Sequence, residues 1–160
     1  MSDSPVSDLV LERVVPCSPA HLYRGWTDPS VIVKWFCPLP WVTTDAVVDL
    51  RPGGIFRTVM QGPDGEHQEG DGCVLDFEPD RRFVWTSALG PGFRPNEAPI
   101  GGFLFTGIIE FEAVEGGTLY RATARHATAD AARTHAERGF HEGWGAALDQ
   151  LVALAGGADS

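Results

Sequence analysis

From Thr128 to Leu154 apolar residues recur at helical spacing: Phe140, Trp144, Ala147, Leu148, Leu151 and Leu154 lie four, three, one, three and three positions apart. That stripe predicts an amphipathic helix with one buried face. Glu137, Arg138, Glu142, Asp149 and Gln150 fall opposite and are expected to meet water. The pattern predicts one long C-terminal helix over 128–155, about 40 Å from end to end. Gly139, Gly143 and Gly145 interrupt it, and each costs roughly 1 kcal/mol in a helix interior. Close approach of a strand or of a ligand would offset that, close helix–sheet packing being the simpler explanation.

Upstream the periodicities are shorter. Residues 1–7 are polar and expected to fray. Leu9 to Val15 is rich in aliphatic residues and predicts a first strand, stopped by Pro16. Ser18-Pro19 reads as an N-cap with proline in the first turn, so a short helix should run through Leu22, Tyr23 and Trp26 to Asp28-Pro29. A second short helix is expected from Ser30 to Phe36, then a loop with an apolar tip at Pro38-Leu39-Pro40-Trp41. From Val42 the period becomes two, and strands are predicted over 42–50, 55–61, 66–77, 82–86, 103–111 and 118–126, mostly joined by hairpin-length turns. Leu89 to Gly102 holds three prolines and four glycines and predicts a long irregular loop.

This order predicts an α+β domain: a curved antiparallel sheet of about six to seven strands gripping the long C-terminal helix, with two short helices after the first strand. A length of 160 residues fits a single domain spanning 1–160. The composition, 43% hydrophobic and 21% charged, is that of a soluble globular protein. A net charge of −10 argues against nucleic acid or an anionic membrane surface as partner. With no long apolar run and no signal-peptide pattern, a cytoplasmic location without membrane insertion is expected. Cys17, Cys37 and Cys73 show no CxxC pairing and are expected to be reduced thiols.

Candidate chemistry is sparse. The histidines are His21, His67, His126, His135 and His141, without HxxxH or HxH spacing, so no metal is expected. A GxSxG nucleophile elbow and a phosphate-binding glycine loop are both absent from the sequence, and no cofactor is expected. His67, beside a turn, is the candidate catalytic residue if there is one, with His126 as the other candidate base. The aromatic residues carry more information, because ligand pockets are lined mainly by apolar and aromatic groups. Trp41 and Phe93 lie in proline-flanked loops and are candidate gates.

Several phrases resemble one family in sequence order. They are Pro19 to Trp26 with Asp28-Pro29, Val33-Lys34-Trp35-Phe36 with Pro38, Asp49 to Phe56, Gly72 with Glu78 to Thr86, and Gly143-Trp144 with Leu148 and Leu151. Together they resemble a START-like, helix-grip (SRPBCC) domain of the heat-shock-protein-90 ATPase-activator-like branch. The resemblance implies a cavity between sheet and helix, and no shared catalytic motif. The expectation is therefore a small hydrophobic or aromatic ligand, lined by Trp41, Phe56, Met60, Trp85, Phe103, Phe105, Phe140 and Trp144 with His67 as a polar contact. The alternatives are a cyclase- or hydrolase-type enzyme using the same cavity, and a co-chaperone-like module acting on a partner ATPase, which is not favoured. A homodimer formed through sheet edges or the 38–41 loop is compatible with the sequence.

Overall fold

In a computed structural model, residues 8–100 and 102–156 are described; the expected fraying of 1–7 lies outside them. Strands β1 (Asp8–Val15), β2 (Val42–Val48), β3 (Ile55–Gln61), β4 (His67–Glu78), β5 (Arg82–Thr86), β8 (Phe105–Val114) and β9 (Gly117–His126) form one sheet. Its order is β1-β9-β8-β5-β4-β3-β2, with every neighbouring pair antiparallel. The stretch expected to be irregular carries a small hairpin of β6 (Leu89–Gly90) and β7 (Arg94–Pro95) around a single helical turn at Pro91–Phe93. This is the α+β, helix-grip architecture the sequence implies. Register shifts at Thr43/Asp45 and Val74/Asp76 insert an extra residue into β2 and β4. Such bulges bend and twist a strand, which helps the sheet curl.

Helix α1 (Pro19–Thr27) starts as the sequence predicts: the Ser18 hydroxyl accepts from the His21 amide at 3.1 Å. Asp28 likewise caps α2 (Pro29–Ile32) by accepting from the Ser30 amide at 3.0 Å. The expected helix to Phe36 stops early, however. The chain turns so that Trp35 is buried and donates its indole N–H to the Gly25 carbonyl at 2.7 Å. Past Ile32 the regular helix gives way to hydrogen-bonded turns, Lys34 N–H to the Val31 carbonyl at 2.9 Å and Phe36 N–H to the Ile32 carbonyl at 3.1 Å.

The single helix expected over 128–155 is two. Helix α3 (Ala129–Glu137) begins at Thr128, whose hydroxyl accepts from Ala131 N at 3.0 Å, and α4 (Phe140–Gly156) follows. Gly139 separates them with φ +93°, a left-handed conformation that glycine adopts without a Cβ penalty. A different reason holds at Gly145, where a Cβ would fall 2.5 Å from the Arg13 guanidinium. That guanidinium reaches over α4 to pair with Asp149 at 2.7 Å, so a side chain of the first strand, not its backbone, comes close here.

Helix α4 buries Phe140, Ala147, Leu148 and Leu151 against the sheet and α1. Its opposite face is not wholly solvated. Gln150 donates to the carbonyls of Trp35 at 3.1 Å and Cys37 at 2.9 Å, and accepts from the Leu39 amide at 3.1 Å. One amide side chain thus ties the 35–39 segment to the helix. No described helix is long and apolar enough to cross a membrane.

Candidate functional site

The concave side of the sheet is filled from α1. Trp26 is buried, with the rings of Trp35, Phe36, Phe56, Phe83, Trp85 and Trp144 at centroid distances of 5.2 to 6.5 Å. Its indole N–H donates to the Tyr120 hydroxyl at 3.1 Å. Centroid spacings of this size are ordinary aromatic packing, so the middle of the grip is a core. The sequence reading placed Trp26 on its helix without assigning it to this position.

At one end of the grip the packing changes character. The last strand ends at His126, and α3 folds back so that His126 Nε2 and His135 Nδ1 lie 2.9 Å apart. His135 stands among the rings of Phe103 at 4.7 Å, Phe105 at 4.9 Å, Phe140 at 5.1 Å and Trp144 at 6.1 Å. Burial first, then His126 and Arg138, push its pKa down to about 4. Losing hydration disfavours the imidazolium, and nearby positive charge does the same. The Arg138 guanidinium lies over the Phe103 ring at 5.9 Å. Phe103, Phe105, Trp144 and His135 are only half-buried, whereas Phe140 and His126 are buried.

Trp85 borders this cluster, 5.2 Å from Phe105 and stacked on Phe56 at 4.9 Å. Its indole N–H is buried and has no hydrogen-bond partner among the described residues. A buried donor left unmade costs of order 1–3 kcal/mol, so an acceptor from outside the chain would be favourable there.

Of the residues predicted to line a ligand site, the structure brings together Phe56, Trp85, Phe103, Phe105, Phe140 and Trp144. Met60 is half-buried and shares the Phe56 face of β3, two pairs further along. Trp41 packs beside Gly62 at the β3–β4 turn and has no ring partner among the described residues. His67 is well exposed on the face of β4 opposite Phe56's, hydrogen-bonded to Glu69 at 2.6 Å. Glu69 also pairs with Arg57, and these two partners hold its carboxyl below the usual carboxylate range. His67 is thus part of a surface ionic network and does not reach the aromatic cluster. Phe93 is half-exposed and rests on Gly53.

His135 is the residue the sequence reading missed. It is one of five histidines whose spacing forms no HxxxH or HxH pattern. Its nine-residue separation from His126 gives no signal until the strand–helix turn is known. Among the described residues no three metal-ligating side chains converge. Two concavities lie elsewhere. One of about 470 Å³ lies between the Arg51–Ile55 turn and Pro91–Phe93, and one of about 430 Å³ is lined by Glu78, Arg81, Arg82, Glu110 and Arg121 among others. Neither includes a residue of the aromatic–histidine cluster.

These features define a helix-grip domain whose sheet and C-terminal helices enclose an aromatic cluster bearing a histidine pair. The chain belongs to the family described as Activator of Hsp90 ATPase homolog 1-like protein, whose profile matches residues 16–156. A crystal structure of a protein from Nitrosomonas europaea is 42% identical, covering 91% of this chain and 92% of that one at a TM-score of 0.86. A Mycobacterium smegmatis crystal structure is 25% identical over 99% of this chain and 96% of that one, at a TM-score of 0.78. An Aeromonas hydrophila solution structure described as AHSA1-like, 21% identical over 91% and 90% of the two chains, shares the fold at a TM-score of 0.69. No curated protein matches the chain.

Proposed function

We propose that the chain binds a small hydrophobic or aromatic molecule between the sheet and α4, at the end where Phe103, Phe105, Phe140 and Trp144 meet the histidine pair. The observation that carries this reading is the composition of that end: four aromatic rings, three of them half-buried, around His135, beside a buried Trp85 N–H without a partner among the described residues. A mainly aromatic lining with few polar groups is what small-molecule sites have in common. Since Trp26 fills the centre, the ligand lies at this end, beside the rings of Phe103 and Phe105. Neither ring is fully committed to the core, and residues 96–100 and 102–104 upstream form no strand or helix. Native mass spectrometry of freshly purified protein tests the reading. An added mass released on denaturation supports it; a clean apo mass, with no thermal shift across apolar and aromatic compounds, overturns it.

A cyclase- or hydrolase-type enzyme is less well supported. A general base works best with a pKa near the working pH, whereas His135 is pushed down to about 4. The family's description makes a chaperone ATPase the natural protein partner to try, and a pull-down without association would exclude it. Self-association is a separate proposal, resting on exposed Val14 of edge strand β1 and Val42 of edge strand β2. Light scattering tests it.

A further inference from the structure

The histidine pair narrows the chemistry of the proposed ligand. A hydrogen bond between His126 Nε2 and His135 Nδ1 at 2.9 Å requires one facing nitrogen to carry the proton and the other to be bare. If His135 Nδ1 accepts, its other nitrogen, Nε2, bears the proton of the neutral ring and donates outward. If Nδ1 donates, Nε2 is bare and accepts. The two neutral arrangements therefore present Nε2 as a donor in one and an acceptor in the other with the ring–ring hydrogen bond kept; to interconvert them the bridging proton passes to His135 Nδ1 while Nε2 releases a proton to solvent and His126 Nδ1 takes one up. His135 Nε2 has no hydrogen-bond partner among the described residues, and it belongs to the ring that Phe103, Phe105, Phe140 and Trp144 surround.

Resting on the ligand-binding reading above, we infer that the site selects an aromatic ligand bearing a hydroxyl group, with that hydroxyl on His135 Nε2. A hydroxyl is the group that matches such a nitrogen, because it both donates and accepts. A pure acceptor or a pure donor uses one state of the pair, whereas a hydroxyl is accommodated by both. The rings supply stacking and edge contacts for the ligand's aromatic body. A carboxylate would draw on positive charge, and the cation at this end, Arg138, is already set over the Phe103 ring. Burial of His135, which resists protonation, also favours an uncharged partner.

The test compares 1-naphthol, naphthalene and 1-naphthoate binding to the full chain by calorimetry or NMR titration near neutral pH. The wild-type protein is expected to bind 1-naphthol roughly 3–10-fold more tightly than naphthalene, the value of one hydrogen bond. His135→Phe keeps a ring in place and is expected to bring that ratio close to one. If the variant fails to fold, the wild-type protein still decides: the ¹⁵N resonance of His135 Nε2 should move with 1-naphthol and stay with naphthalene. Equal affinity for naphthol and naphthalene, with an unmoved resonance, overturns the hydroxyl inference and leaves the ligand site standing. Tighter binding of naphthoate overturns it in favour of an anion site. Binding of none of the three, together with a clean apo mass, removes the underlying reading as well.

Discussion

His126 Nε2 and His135 Nδ1 face each other at 2.9 Å, joining the end of the last strand to the second turn of the helix that follows. Burial of His135, and after it the neighbouring His126 and Arg138, makes stability depend on pH. In the folded protein the His135 pKa is pushed down from the ordinary 6.5 to about 4. Between those values the unfolded chain binds more protons at this residue than the folded one, so stability falls as pH falls through that window. His135 is partly exposed, so screening reduces the effect to about 1 kcal/mol, or roughly 2–4 °C in Tm for a chain of this size. Melting curves from neutral pH down to about 4 should show a steeper decline for wild type than for His135→Phe. Parallel curves would contradict this.

Gly25 of α1 faces Leu151 of α4, where a Cβ would fall 2.5 Å from a Leu151 methyl. Leu151 is fully buried and has nowhere to retreat. Gly25→Ala should therefore destabilise the fold by about 1–3 kcal/mol, in the range of other overpacked cores. Pairing it with Leu151→Ala should recover part of that loss, because the two changes share one space. Denaturant unfolding of both single variants and the double variant measures the coupling.

Gln150 donates to two carbonyls and accepts one amide from the 35–39 segment. Gln150→Ala should cost about 1–3 kcal/mol by leaving those groups without their partner. Amide exchange at Leu39 should accelerate more than exchange in the central strands. An unchanged Leu39 rate would show that the segment is held by other contacts.

His67→Ala removes an exposed ring whose hydrogen bond goes to Glu69. Ligand affinity and any turnover should stay within about twofold of wild type, and stability within about 0.5 kcal/mol, as for most surface positions. A large loss of turnover with retained binding would revive the enzyme reading.

How much of this could be read in advance differs from residue to residue. Ser18, Asp28 and Thr128 act as caps within a few positions of themselves, so the helix starts were legible. Alternation in β3 and β8 likewise put Phe56, Ile109 and Phe111 on the buried face. Gly139 was visible as an oddity in a helical stripe, but its left-handed φ is set by how α3 must turn to lie on β9. Phe105 and Trp144 lie 6.0 Å apart because both sit on stripes facing one another. Trp41 and His67 lie apart from that cluster, and this was not legible, since neither a loop's landing place nor the face taken by a strand's polar end is a local property.

By itself, the sequence determined the α+β class, the order of the main-sheet strands and first helices, the caps and the identity of most core residues, because propensity, periodicity and capping act over a few positions. Only the tertiary structure decided that Trp26 would occupy the centre of the grip, that Gln150 would face the 35–39 segment, and that His126 and His135 would meet. Those outcomes depend on contacts between residues 9 to 115 positions apart, and such contacts form only once the sheet has curled and the helices have folded back onto it.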